Sequence, residues 1–220
     1  MFNRTIINDL KHWKEQKDRK PLMMLGARQV GKTSVLKRFG RECFEHCVYF
    51  SLDEEAGVCD IFRTTKNPTQ IIEQLSYLTD EPILPEKTLL VLDEIQDCPE
   101  AISSMKYFCE KTPEYAIACA GSLLGLAFGH EGFSFPVGKV DHINMYPVTF
   151  SEFLEQKDSG LYRYYKSIDS IEPLPQVFFD RLSQAFTAYR ISGGMPEAAM
   201  KMIEVDMKGV ETKLQNILQD

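Results

Sequence analysis

Hydrophobic positions change their period several times along this chain, and each change marks a different element. Phe2, Ile6, Leu10 and Trp13 recur at spacings of four, four and three, while Lys14, Glu15, Lys17 and Asp18 keep the other side wet. That pattern predicts an amphipathic helix over residues 3–17. From Pro21 the periodicity gives way to the continuous apolar run Leu22-Met23-Met24-Leu25, a strand, followed by a helical stretch from Lys32 to Phe39 and a second strand from His46 to Leu52. Asn67 as cap, Pro68 in the first turn and Gln70 at the third position start another helix, with Ile71, Leu75 and Leu78 on one face. The Pro82 to Pro85 segment ends it. Leu89-Leu90-Val91-Leu92 is short and wholly apolar, as expected of a strand buried on both faces. Pro99 opens a helix with Ile102, Met105 and Cys109 inward, and Tyr115 to Ser122 reads as a further strand.

The second part of the chain is patterned differently. After a Gly/Phe-rich loop from Gly129 and a strand from Val140 to Met145, only helical periods remain. Thr149-Phe150-Ser151-Glu152 is a capping box that starts a short helix. Asp158 to Pro175 is polar and turn-rich and reads as a hinge or excursion. Phe178, Leu182, Ala185, Phe186 and Tyr189 mark a helix that ends at Gly193-Gly194, and Pro196 restarts one. Its apolar face, Ala199, Ile203, Met207, Val210, Leu214 and Ile217, reaches the last residues, so a partner outside this chain is expected to cover it. Strand–helix units followed by helices alone predict an α/β fold: a parallel sheet flanked by helices, then a small helical lid. The expected division is a core over 1–157 and a lid over 158–220.

Between the first strand and its helix lies Gly26-Ala27-Arg28-Gln29-Val30-Gly31-Lys32-Thr33, which matches G-x-x-x-x-G-K-[ST]. Glycines at both ends let the backbone wrap closely, so successive N–H groups from Gly26 to Ser34 can converge on an anionic phosphate, aided by the positive end of the next helix. Lys32 supplies a point charge for the terminal phosphates, and the Thr33 hydroxyl is suited to a Mg²⁺ shell. Arg28 either steers an anion or pairs with an acid. The buried strand that ends in Asp93-Glu94 supplies the second half of a nucleotide site. An acid at the carboxyl end of a parallel strand can hold the metal through water, which is the role expected of Asp93; Glu94, one residue on, is offset enough to orient or deprotonate an attacking water. Ser122, at the end of the next strand, is placed to sense the terminal phosphate. The acids Asp53-Glu54-Glu55 after the second strand read first as a solvated loop.

Composition narrows the partners. The chain of 220 residues has a formal net charge of -7, which argues against tight nonspecific nucleic-acid binding, although a local basic patch remains compatible with it. Its six cysteines include no C-x-x-C pair; Cys43 and Cys47, with His46 between, lack a second ligand pair for zinc. Free thiols suit a reducing cytoplasm, the expected location. Residues 1–20 show no signal-peptide pattern, and the apolar stretch from Tyr115 to Phe128 is interrupted by glycines and too short to span a membrane.

Taken together, the loop above, Leu92-Asp93-Glu94-Ile95-Gln96, Ala120-Gly121-Ser122, the block Tyr146-Pro147-Val148-Thr149-Phe150-Ser151-Glu152-Phe153 and Gly193-Gly194-Met195-Pro196-Glu197 occur in an order that resembles prokaryotic AAA-like P-loop ATPases of the AAA_14 type. The resemblance covers nearly the whole chain. It implies ATP and Mg²⁺ as ligands, Lys32, Glu94 and Ser122 as catalytic residues, Thr33 and Asp93 at the metal, and Gly194 and Pro196 as lid positions near the nucleotide. Arg190 lies just upstream without a motif match. Such proteins usually continue into a DUF4143 region, so this chain is expected to be a fragment or a natural truncation, whose output passes to a protein partner or a further domain. The leading expectation is a Mg-dependent ATPase acting as a conformational switch, with a homo-oligomer needed if Arg38, Arg41, Arg63 or Arg163 acts as an arginine finger in trans. A non-hydrolysing nucleotide-bound scaffold and a small-molecule kinase are the alternatives. A GTPase is weaker, because Gly138-Lys139-Val140-Asp141 has glycine where the guanine-reading pattern requires asparagine.

Overall fold

A computed structural model of the chain describes residues 2–122 and 136–205. The chain divides into two compact units, Ile6–Met145 and Met1–Thr5 with Tyr146–Asp220. The division therefore falls after Met145 rather than after residue 157, and the first residues of the chain join the second unit.

The first unit contains, in chain order, α1 (Ile6–Glu15), β1 (Leu22–Leu25), α2 (Lys32–Cys43), β2 (His46–Ser51), α3 (Ala56–Thr64), α4 (Pro68–Ser76), β3 (Thr88–Asp93), a single 3₁₀ turn (Ile95–Asp97), α5 (Pro99–Lys111), β4 (Ala116–Gly121) and β5 (Asp141–Asn144). The strands form one sheet in the order β2-β3-β4-β1-β5, and every pairing is parallel. The order matters for function because β4 lies between β1 and β3. The carboxyl ends of those three strands are therefore neighbours, at the edge where open parallel sheets hold ligands.

Alternate residues of the strands feed two cores. Met23, Phe50, Leu90, Leu92 and Ile117 pack with Val58, Phe62, Ile71, Leu75, Ile102, Met105 and Phe108 from α3, α4 and α5. Leu22, Met24, Leu89, Val91, Ala118 and Ala120 face the other way, onto Leu10 and Trp13 of α1 and Val35, Leu36 and Phe39 of α2. All six residues of β3 and of β4 are buried, which is why their sequence is apolar without alternation. Trp13 also donates its indole N–H to the Lys20 carbonyl at 2.9 Å, fixing the turn that leads into β1.

Several expectations need correction. The sequence pattern predicts no helix after the acidic turn, yet α3 occupies Ala56–Thr64; it is short and presents only Val58, Cys59 and Phe62 to the core. Asn67 caps α4 as its chemistry requires, accepting from the Thr69 N–H at 3.1 Å, but the helix stops at Ser76 and Leu78 is exposed beyond it. In α5 the inward position at the end of the helix is taken by Phe108, and Cys109 is only half-buried. The Gly/Phe-rich loop lies largely outside the described residues.

The second unit is helical: α6 (Phe150–Lys157), α7 (Ser159–Lys166), α8 (Gln176–Ser192) and α9 (Pro196–Glu204). Both halves of the predicted capping box are present at α6. Asp158 to Pro175 is not simply a hinge, because its first part is α7. Asp158 caps that helix through the Leu161 N–H at 2.9 Å and accepts from Arg181 at 2.5 Å, while Leu161 joins Leu154 and Ala185 in a small core. The turn after α8 is left-handed at Gly193 and Gly194. Gly194 accepts the Val148 N–H at 2.8 Å, and a Cβ there would lie 2.8 Å from the Val148 carbonyl oxygen, so only glycine fits the tie. In α9 the buried positions are Ala199 and Met202, with Ile203 half-buried. The remaining apolar positions read from the sequence, Met207, Val210, Leu214 and Ile217, lie outside the described residues.

Candidate functional site

The loop between β1 and α2 is shaped by its neighbours. A Cβ on Gly26 would fall 2.4 Å from the Met145 carbonyl oxygen, so the loop leaves the sheet at a point that admits no side chain. Gln29 and Gly31 both take left-handed conformations, at φ 58 and φ 97, and turn the chain back into α2. Val30 is fully buried and anchors the turn, whereas Ala27, Arg28, Gln29 and Ser34 are exposed. Lys32 is buried and folds over the loop, donating to the carbonyls of Gly26 at 2.9 Å and Ala27 at 3.0 Å. Burial lowers the ammonium pKa and Arg28 lowers it further, against the opposing charges of Glu94 and Asp93. A mobile cation held by two neutral carbonyls is free to exchange them for phosphate oxygens, which are stronger acceptors.

Opposite this loop, Asp93 ends β3. Its Oδ2 accepts the Thr33 hydroxyl at 2.5 Å and the Tyr49 hydroxyl at 3.1 Å, and its Oδ1 accepts the Glu94 N–H at 3.0 Å. Asp93 is buried and has no ion-pair partner among the described residues. Tyr49 was not singled out by the sequence, although its place two residues before Ser51 puts it on the same face of β2. Burial, only partly offset by the Ser51 hydroxyl, and the adjacent Asp93 charge push its phenol up to about 12, so it stays a donor throughout the neutral range. The Lys37 ammonium sits 3.2 Å from the centre of the Tyr49 ring.

Glu94 follows in a left-handed conformation, φ 47 and ψ 46, which a non-glycine residue adopts at a cost. Its Oε2 accepts from Gln96 Nε2 at 2.7 Å and from the Ser122 hydroxyl at 3.3 Å. Lys32, Thr33, Asp93, Glu94 and Ser122 are thus brought together by the ends of β1, β3 and β4. Hydroxyl and carboxylate oxygens are hard donors, and Thr33 with Asp93 fits a Mg²⁺ ion that retains several waters.

The remaining candidates are placed elsewhere. Gly194 and Pro196 belong to the second unit, at the turn between α8 and α9. Asp53 and Glu55 are exposed and spent locally: Asp53 accepts the Ser51 hydroxyl at 2.6 Å, and Glu55 accepts the Ser51 N–H at 3.0 Å. Arg38 pairs with Glu42 on its own helix, and Arg63 pairs with Asp60 and Glu100. Arg41, Arg163 and Arg190 are exposed. No group of histidines, cysteines and acids suited to a metal cluster occurs among the described residues, and none of their helices is long and apolar enough to cross a membrane.

A phosphate-cradling loop and a paired carboxylate at the carboxyl edge of a five-stranded parallel sheet define a P-loop nucleotide-binding protein. The family model AAA_14, an AAA domain, matches residues 18–154, more than half of the sequence, and the chain belongs to that family. Its structural relatives are P-loop ATPases at low identity. The Thermotoga maritima RuvB Holliday junction branch migration motor is similar at 14% identity and a TM-score of 0.50, with 92% of this chain and 61% of that chain covered. A Walker-type ATPase of Pyrococcus abyssi is similar at 18% identity and a TM-score of 0.48, over 100% of this chain and 76% of that one. DnaA of Aquifex aeolicus with AMPPCP bound is similar at 16% identity and a TM-score of 0.49, over 97% and 65%. The chain therefore spans about three-fifths of RuvB and two-thirds of DnaA. No curated protein matches the sequence.

Proposed function

We propose that this AAA domain binds ATP with Mg²⁺, hydrolyses the terminal phosphate and uses the cycle as a conformational switch. The observation that carries the reading is the buried Asp93 carboxylate, hydrogen-bonded to Thr33 and without an ion-pair partner among the described residues, with Glu94 on the next residue. Loop N–H groups and Lys32 hold the phosphates. Thr33 and Asp93 hold the metal, which when bound neutralises charge on the phosphate oxygens. Glu94 takes a proton from the attacking water, and Ser122 lies where the terminal phosphate can be read. Gly194 and Pro196 join the nucleotide in this proposal on family resemblance alone. ATP and ADP are the ligands; a protein partner or a further domain receives the signal, and self-association is compatible with the reading.

The test is Mg-ATP turnover by the purified chain beside Glu94→Gln, with nucleotide affinity recorded for both. Turnover in the parent, and retained binding with turnover reduced by about a hundredfold or more in the variant, is the expected result. Nucleotide binding without turnover in either protein would favour a non-hydrolysing scaffold, and absence of binding would remove the phosphate-site reading.

A further inference from the structure

Gln96 stands in the 3₁₀ turn behind the paired carboxylates, and its surroundings are unusual for an amide. Its Nε2 donates to Glu94 Oε2 at 2.7 Å and to Asp97 Oδ2 at 3.0 Å. Two carboxylate oxygens facing one amide atom fix which atom it is, since a carbonyl oxygen there would meet only acceptors. The other end, Oε1, is consequently a buried acceptor, and it has no hydrogen-bond partner among the described residues. Buried acceptors are seldom left without a donor, so an orphan beside a candidate base calls for a donor that the described residues do not supply, such as water.

The same contact decides how Glu94 presents itself. Its backbone is left-handed, and among the described residues both donors that reach its carboxylate, Gln96 and Ser122, bind Oε2. Among the described residues no donor reaches Oε1. One oxygen is therefore tied down and the other is left to act.

We infer that Gln96 is a positioning residue for Glu94: its amide N–H clamps one carboxylate oxygen so that the other meets the attacking water, and its buried carbonyl accepts a hydrogen bond from water in the same place. The inference rests on the hydrolytic reading above. In the step itself the water oxygen forms a bond to the terminal phosphorus, the bond to the bridging oxygen breaks, the water proton goes to Glu94, and ADP leaves with the bond's electrons. Gln96 neither gains nor loses a proton.

Steady-state Mg-ATP turnover and nucleotide Kd are measured for the chain, for Gln96→Met, which keeps the length and removes both polar atoms, and for Gln96→Glu, which keeps an acceptor and removes the donor. Both variants should lose about ten- to a hundredfold in kcat, the cost of a misplaced reacting group, while Kd stays within about twofold. Added to Glu94→Ala, Gln96→Met should bring no further loss, because residues that act through one another are not additive. A kcat equal to the parent's, a loss that appears in Kd alone, or a full additional loss in the Glu94→Ala background would each overturn the inference. Should Gln96→Met fail to fold by thermal melting, Gln96→Glu supplies the same readout. Absence of turnover in the parent would instead sink the hydrolytic reading, so the two failures are separable.

Discussion

Among the described residues, each unit of this protein buries one carboxylate almost completely, and the two are treated in opposite ways. Glu152, in the helical unit, is 3% exposed and every side of it is matched: Oε1 accepts from the Thr5 N–H and hydroxyl at 2.8 and 3.0 Å, Oε2 accepts the Thr149 N–H at 2.9 Å, and the buried Arg4 guanidinium lies 3.3 Å away. Burial alone would raise its pKa; the two backbone N–H groups, Arg4 and the Thr5 hydroxyl outweigh that and lower it. Asp93, in the sheet unit, is also 3% exposed but receives only two hydroxyls and one backbone N–H, with no guanidinium or ammonium in contact among the described residues. A buried charge is expensive unless paired. Glu152 carries its counter-ion within the chain, whereas Asp93 has no cationic partner among the described residues, which is what the proposed metal role requires. In the proposed reading the difference separates a structural acid from a ligand-binding one, although their exposure is the same.

The comparison breaks most visibly at Asp93. Asp93→Asn should reduce Mg-ATP turnover by about two orders of magnitude or more, because a metal's share of transition-state stabilisation is several kcal/mol. Its melting temperature without metal should not fall, since no ion pair among the described residues is lost; differential scanning fluorimetry in EDTA checks this. The reverse is expected for Glu152→Ala: removing one partner leaves Arg4 buried without its carboxylate and costs about 3 kcal/mol, read from denaturant unfolding. The same site gives a pH dependence with a definite sign. The Glu152 pKa is lowered from its ordinary 4.5 in the folded protein, so its contribution is complete above that value and is lost as pH falls through the lowered one. Glu152→Gln should flatten that acid limb. A smaller effect is expected at Gly194, where Ala would meet the Val148 carbonyl and a left-handed backbone, at a cost of about 1–3 kcal/mol. Smallest is Thr149→Ala, which removes one half of the α6 capping box and should cost about 1 kcal/mol in the same unfolding measurement.

What the sequence made legible follows from how local each signal is. The motif from Gly26 to Thr33, the buried strand ending at Asp93 and the caps at Asn67 and Thr149 all involve residues within a few positions of one another, where spacing alone dictates geometry. The short helices α3 and α7 escaped because their burial is shared: Val58 and Phe62 acquire meaning only against α5, and Leu161 only against Leu154 and Ala185. Strand order could not be read at all, since any parallel arrangement buries the same apolar runs. Contacts spanning long stretches of chain were equally silent. Glu152 reads as a capping-box acid, which it is, but nothing near it announces Thr5 or Arg4, at the other end of the sequence. Tyr49 and Gln96 were hidden for a related reason. A tyrosine in a strand and a glutamine in a turn are ordinary until the sheet brings one to Asp93 and the turn brings the other to Glu94.

The proposed metal role of Asp93 is tested most directly by measuring ATP affinity in Mg²⁺ and in EDTA, for the parent chain and for Asp93→Asn. Removing the metal should weaken binding to the parent by about tenfold or more and leave the variant, already weak, nearly unchanged. The same Mg²⁺ dependence in both proteins would contradict it.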